Sequence, residues 1–337
     1  MKTADSVRYL GDLVSVSGSL RPCLEDRRNR GWGKVAEMTG ILAEMPDNRR
    51  IEVGLKLREA KVHNGSLFNS EAWSNLADKD IERVEQVDIA ALRAIMGGGH
   101  SKCPTSFYFL EFGTLMIRHI IIIRRLMFHY HIVTRDNCEI IKKVYLKQKE
   151  SSSKGDWIQL LRKDFEFMKE DFSEDIILKS SKDEYNSYVK QKVQLAAFNE
   201  YIQMKQKCQK KLGNLHYTDL SIQPYMVSTR ISMEEKQLLF SLRSKCYPAK
   251  MNFRKQYKGN LKCSFLCLDE ETQTHIFENC GPIKAKLSDF VNLKDIYGNL
   301  NVQIKLVKTL SKIDLIRKSM KQDILPGGSI ARTHVDT

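Results

Sequence analysis

The chain has 337 residues, of which 42% are hydrophobic and 9% aromatic, and its formal net charge is +14. This composition is typical of a globular protein with more than one hydrophobic core, and it excludes a fibrous or low-complexity chain. Residues 1–16 lack an apolar leader, and the longest apolar stretch, residues 114–133, is interrupted by three arginines. We therefore expect a soluble, intracellular protein, in the nucleus or the cytoplasm, with no membrane partner.

Strands come first and helices follow in the N-terminal half. Alternating apolar side chains and a turn at Ser17-Gly18 predict a strand or hairpin within residues 1–24. Helical periodicity predicts a bundle over residues 25–150. Its helices are expected at about 34–45 (ended by Pro46), from about 48, at 78–96 with Asp78 as N-cap, at about 114–133 and at about 138–149.

The C-terminal half begins with a predicted linker, "SSSKG", at residues 151–155. A second helical region over residues 151–248 contains a long basic amphipathic helix at 183–212 and a helix that starts with a capping box at Ser232. Residues 249–283 form a basic segment with a Cys/His segment, and residues 284–337 contain a helix at about 301–320 and a disordered tail. The predicted fold class is therefore mainly α, with a short β hairpin at the start.

Positive charge is concentrated before the Cys/His segment. Residues 1–200 have a net charge of +3, residues 201–262 of +10, residues 263–280 of −4 and residues 281–337 of +5. A basic stretch of this kind indicates a polyanionic partner.

Three of the eight cysteines cluster with a histidine in the pattern C-x3-C-x7-H-x4-C: Cys263, Cys267, His275 and Cys280. In an intracellular chain such a cluster favours a metal over disulfides. Three thiolates and an imidazole are ligands that Zn²⁺ prefers in tetrahedral sites, and because protein fills all four positions the ion would be structural. The alternative is a chance group of cysteines with a surface histidine.

Cations alternate with aromatic residues directly before this cluster, in "RSKCYPAKMNFRKQYKGNLK" at residues 243–262. Lysine and arginine neutralise phosphates, and exposed aromatic rings stack on unpaired bases. This basic block therefore predicts RNA or DNA binding through eight side chains: Arg243, Lys245, Lys250, Arg254, Lys255, Tyr257, Lys258 and Lys262. The alternative is a solvated basic loop whose aromatic side chains are buried beneath it.

Several stretches resemble one family in the same order along the chain. "VRYLGDLVSVSG" resembles the strand and turn at the end of the palm in reverse transcriptases of non-LTR, LINE-like retrotransposons. "GWGKVAEMTGILAEMP", "GLKLREAKVHNGSLFNSEAW" and "DKDIERVEQVDIAALRAIMGGGHSKCP" are similar to the helical, thumb-like region after that palm. "KCSFLCLDEETQTHIFENC" is similar to their C-terminal Cys/His segment. The resemblance implies that Tyr9, Leu10 and Gly11 adjoin a primer grip and that residues 1–24 are a remnant of the palm.

The departure from the family concerns catalysis. Those enzymes bind Mg²⁺ through a Tyr-x-Asp-Asp hairpin just before "YLG", and this sequence contains no Asp-Asp pair. We therefore expect no catalytic residues and no Mg²⁺ site, because this phosphoryl transfer depends on metal ions held by carboxylates. The resemblance implies a truncated C-terminal portion of an RNA-directed DNA polymerase that binds RNA or DNA. Two alternatives are a part of an active enzyme completed by a separate palm-containing chain, and a domesticated helical protein-interaction module.

Overall fold

The computed structural model describes residues 6–9, 12–74, 77–98, 102–151, 155–253, 261–265, 267–286 and 292–324. The central part of the predicted linker and the predicted tail lie outside these residues. The described chain is mainly helical, and its only sheet is an antiparallel hairpin of β1 (Ser6–Tyr9) and β2 (Asp12–Ser15). The predicted fold class is confirmed.

The N-terminal helices are α1 (Arg21–Ala43), α2 (Asp47–Leu57), α3 (Asn64–Ser66), α4 (Asp78–Ile95), α5 (Thr105–Phe112), α6 (Ile117–Val133), α7 (Ile140–Glu150), α8 (Trp157–Phe167), α9 (Asp175–Lys179) and α10 (Lys182–Lys207). The C-terminal helices are α11 (Gln209–Leu212), α12 (Pro224–Val227), α13 (Met233–Arg243), α14 (Gly281–Lys284) and α15 (Leu300–Ile324). π-Helical turns occur at Arg58–His63 and His275–Asn279, and 3₁₀ turns at Ser70–Ala72, Lys250–Phe253 and Leu293–Tyr297.

These elements form two compact units. The first unit comprises Met1–Gln209 and Tyr217–Val227, and the second comprises Lys210–His216 and Ser228–Thr337. In the first unit, buried side chains of α6, α7, α8 and α10 share one core that includes Leu126, Tyr145, Trp157 and Val189. The helices on either side of residues 151–155 therefore belong to the same folded unit.

Local signals explain two of the helix ends in the first unit. Pro46 is the N-cap of α2, and Gly97 and Gly98 adopt positive φ after α4. The predicted cap at Asp78 is wrong by one residue, because Asp78 is the first residue of α4 and Ala77 occupies the N-cap position without a side-chain bond. Helices α5 and α8 were not predicted.

Helices α5 and α6 are separated at Gly113, whose φ of 59° lies in the left-handed region. Among the described residues, no single helix is long and apolar enough to cross a membrane. Within the described part of the chain, α5 and α6 taken together reach that length and composition, and they are bent by 62° at their junction.

The second unit is organised by the packing of α13 against α15. Leu239, Leu242, Val307 and Leu310 are at most 1% exposed there. The predicted capping box at the start of α13 is confirmed: Ser232 Oγ accepts from Glu235 N, and Glu235 Oε2 accepts from Ser232 N at 2.7 Å. This two-helix core is the support on which the Cys/His segment rests.

Candidate metal centre

The first half of the Cys/His segment is a narrow hairpin. Cys263 N donates to Asp269 O at 2.9 Å, and Glu271 N donates to Leu261 O at 2.7 Å. An isolated antiparallel bridge joins the residues between these bonds, at positions 262 and 270. The hairpin thereby places Cys263 at the start of the turn and Cys267 within it.

The second half supplies the other two side chains from one short helical turn. His275 begins the π-helical turn His275–Asn279, and its backbone N donates to Thr272 Oγ1 at 2.9 Å. Cys280 follows that turn and is the N-cap residue of α14. The turn therefore directs His275 and Cys280 back towards the hairpin.

The structure brings all four predicted ligands together. One ligand atom from each of Cys263, Cys267, His275 and Cys280 lies within 4.8 Å of every other. Cys280 Sγ is 3.9 Å from Cys263 Sγ and 3.7 Å from Cys267 Sγ. Two thiolates at about 2.3 Å from one tetrahedral ion lie about 3.8 Å apart. A disulfide needs about 2.05 Å, so the sulfur atoms are spaced for a shared ion and not for a covalent bond.

His275 is oriented as a ligand. The side chain is 4% exposed, and its Nε2 has no hydrogen-bond partner among the described residues. Its Nδ1 lies 3.5 Å from a carboxylate oxygen of Asp269. Ligating histidines commonly direct the second ring nitrogen to a carboxylate, which fixes the tautomer and the ring orientation. This arrangement favours Nε2 as the ligating atom.

Burial makes the cysteine side chains poor anions on their own. It raises the pKa of Cys280 to about 12 and also raises the pKa of Cys263. A cation at the centre of the cluster stabilises the thiolates and displaces their protons. The four side chains can therefore hold a metal ion, whose positive charge would stabilise the buried thiolates.

A buried ion pair attaches the hairpin to α15. Glu271 is 0% exposed, and its carboxylate accepts from Ser264 N at 3.0 Å, from Ser264 Oγ at 2.6 Å and from Arg317 Nη2 at 3.0 Å. Arg317 also donates to Tyr247 OH and to Pro248 O, at 3.1 and 2.7 Å. Sequence reasoning missed this attachment, because nothing in the run of acidic residues at 269–271 marks Glu271 as the buried one.

Half of the predicted nucleic-acid contacts lie outside the described residues: Arg254, Lys255, Tyr257 and Lys258. Lys262 is exposed, Lys245 donates to Lys210 O at 2.7 Å, and Lys250 donates to Lys262 O at 2.7 Å. These residues stay candidates for phosphate contacts.

Arg243 differs from the other cations of the basic block. It is 3% exposed, and its Nη1 donates to Ile296 O at 2.9 Å. Its guanidinium therefore faces the interior of the second unit and is not placed to contact a phosphate. Tyr247 is also buried, at 2% exposure. Its burial agrees with the alternative interpretation, in which the aromatic side chains of the basic block are buried beneath a solvated loop.

The predicted primer-grip-like stretch is only partly described. Tyr9 ends β1, whereas Leu10 and Gly11 lie outside the described residues. Asp12 begins β2 and forms an ion pair with Arg27. The role of this stretch stays a prediction.

Comparison with known proteins adds no relative. No family model, no curated protein and no solved structure matches this chain. The resemblance to reverse transcriptases therefore stays a prediction.

Proposed function

We propose that this chain is a nucleic-acid-binding protein whose second unit is held together by a structural zinc ion, and that it is related to the region after the palm of non-LTR reverse transcriptases. The observation that carries the proposal is the convergence of four ligand atoms within 4.8 Å, directly after the strongly basic residues 201–262. Because the sequence contains no Asp-Asp pair, we assign it binding and no polymerase step of its own.

The donor set supports zinc. Three sulfurs and one imidazole nitrogen match the preference of Zn²⁺, and the sulfur separations of 3.7 and 3.9 Å agree with tetrahedral geometry. Protein side chains occupy all four positions, which leaves no open position for a water nucleophile. Zinc at this site would stabilise the fold, since a structural Zn²⁺ contributes about 10 to 16 kcal/mol in small domains.

The charge of the second unit supports a polyanionic partner. This unit carries 21 Lys and Arg against 11 Asp and Glu, a net of +10 of the chain's +14. Neutralising phosphates releases condensed counterions, and this entropy drives binding of such surfaces to RNA or DNA.

Hydrogen bonds beside the candidate metal centre join the basic block to the Cys/His hairpin. Lys250 Nζ donates to Lys262 O at 2.7 Å, and Met251 N donates to Glu271 O at 3.2 Å. Lys250 and Met251, which precede the cations Arg254, Lys255 and Lys258, are thereby joined to the hairpin that carries Cys263. Zinc, by ordering the hairpin, would also order the described residues that flank those cations.

The proposal is tested by the affinity of the full-length, zinc-loaded chain for a fluorescein-labelled RNA of about 30 nucleotides, measured by anisotropy from about 50 to 300 mM salt. We expect a steep fall of affinity with salt. The triple variant Arg254→Gln, Lys255→Gln, Lys258→Gln should reduce the slope of log K against log salt by about 2, since each phosphate contact on a single strand contributes about 0.7.

The matched control removes the same charge from the first unit. Lys34→Gln, Lys56→Gln, Lys61→Gln neutralises three surface lysines that form ion pairs with Glu37 or Glu52, and it should leave the slope unchanged. Binding that is indifferent to salt, or an equal loss in both triple variants, would refute the proposal.

A further inference from the structure

One face of α15 carries an unusual row of cations. Lys305, Lys308 and Lys312 are exposed and recur at intervals of three and four residues, so they lie in line along the helix. The opposite face is buried, with Val307 and Leu310 at 0% exposure. We define the three lysines, together with Arg230, as the α15 cationic face.

Arg230 reaches this face from another segment. Its Nη2 donates to Asn301 Oδ1 at 3.0 Å, and position 301 is one helical turn before Lys305 on the same side of α15. An amide and not a carboxylate thus fixes the guanidinium at the N-terminal end of the row. Two separate pieces of chain place four positive charges side by side.

No carboxylate among the described residues forms an ion pair with Lys305, Lys308 or Lys312. Asp314 is the only acidic residue in the described side chains of α15, and it pairs with Lys318 at 2.9 Å. An ordinary solvated helix face intersperses both signs of charge, because like charges at i,i+3 and i,i+4 each cost about 0.2 to 0.5 kcal/mol. The pairs Lys305/Lys308 and Lys308/Lys312 are two such like-charge pairs, and no carboxylate among the described residues offsets their repulsion.

The spacing suits a phosphate backbone. Lys305 and Lys312 are seven positions apart, which is about 10.5 Å along the helix axis. One strand of a duplex carries a phosphate about every 3.4 Å along its axis, so this length spans about three phosphates. We propose that the α15 cationic face is a second nucleic-acid contact, which binds the phosphate backbone of one strand separately from the basic block. The inference rests on the proposed nucleic-acid binding and adds a surface that the composition of residues 243–262 does not indicate.

The test uses the zinc-loaded full-length chain, the labelled RNA and a labelled DNA duplex. The variant Lys305→Gln, Lys308→Gln, Lys312→Gln should lower the salt slope by about 2 on RNA and by nearly 3 on duplex. Its thermal stability should equal or exceed that of the wild type, because it removes like-charge repulsion. The Lys→Arg version of the same triple should restore the slope, and Lys34→Gln, Lys56→Gln, Lys61→Gln should not lower it.

The possible outcomes distinguish a failure of this inference from a failure of the proposed function. If the wild type binds and the α15 triple variant keeps the full slope on both nucleic acids, the cationic face is not a contact, while the proposed function stands. If the wild type binds neither nucleic acid, both proposals fail. If the triple variant loses binding to phosphatidylserine vesicles but not to nucleic acid, the face serves a lipid surface and the inference is overturned.

Discussion

The attachment of the Cys/His hairpin to α15 can be tested by a single substitution. Arg317 is 4% exposed and donates to Glu271, Tyr247 and Pro248. Arg317→Met keeps much of the side-chain volume and removes the charge. The carboxylate of Glu271 is then left in the interior without its cation.

The expected cost follows from the remaining partners. Breaking a buried ion pair by removing one partner typically costs about 3 to 5 kcal/mol. Ser264 still donates two hydrogen bonds to Glu271, so we expect the lower end, about 3 kcal/mol. That loss corresponds to about a 150-fold rise in the rate of native-state hydrogen exchange from α13 and α15. The double variant Glu271→Gln, Arg317→Met should exchange more slowly than the single variant, because it leaves no unpaired charge.

The assay is hydrogen exchange by mass spectrometry on the zinc-loaded chain, with peptides from each unit compared. Lys318→Met is the matched control: its ammonium pairs with Asp314 on the surface and should be worth less than about 1 kcal/mol. Tryptophan fluorescence supplies an internal control, since Trp32, Trp73 and Trp157 all belong to the first unit. An increase of less than about fivefold in Arg317→Met, equal to that in Lys318→Met, would refute the reasoning.

Three further predictions concern stability and metal affinity. Burial lowers the pKa of His129 to about 4, so the unfolded chain binds more protons than the folded chain between pH 4 and about 6.5. The free energy of unfolding should therefore fall by about 2 kcal/mol from pH 7.5 to pH 5 on account of this residue. Urea titrations followed by tryptophan fluorescence should show a shallower pH dependence of that free energy in His129→Gln than in the wild type. Gly113→Ala should lower the free energy of unfolding by at least about 2 kcal/mol in the same titrations, because its φ is positive and the added Cβ overlaps the backbone of Ser221 and Ile222. Gly40→Ala, in an open position of α1, is the control and should be neutral or stabilising. Equal effects of the two substitutions would contradict this explanation. Asp269→Asn should weaken zinc affinity about tenfold in chelator competition, because Asp269 holds the ring of His275 from an exposed position; unchanged affinity would show that the 3.5 Å contact does not orient the ligand.

Local sequence signals predicted the parts of the fold that depend on neighbouring residues. The capping box at Ser232 and the helix stop at Gly97 depend on chemistry within a few positions, and both occur in the structure. The grouping of the four Cys and His side chains, which could hold a metal ion, was predicted for the same reason, since all fall within 18 residues and residue type restricts the chemistry.

The features that were missed depend on tertiary packing. Glu271 is one of three consecutive acidic residues, and its burial results from Arg317, 46 positions later. Arg243 contributes a positive charge to any profile along the sequence, yet in the fold its guanidinium is buried and donates to Ile296 O. The row of lysines on α15 was counted only as part of a modest net charge, because a profile along the chain does not record which face of a helix each charge occupies.

The central claim is that three thiolates and one imidazole close around a single zinc ion. X-ray absorption at the zinc edge, on full-length protein purified without chelator, tests it most directly. We expect one zinc per chain with three sulfur neighbours at about 2.3 Å and one nitrogen at about 2.0 Å. A chain that retains no zinc, or a zinc surrounded by oxygen without sulfur, would contradict it.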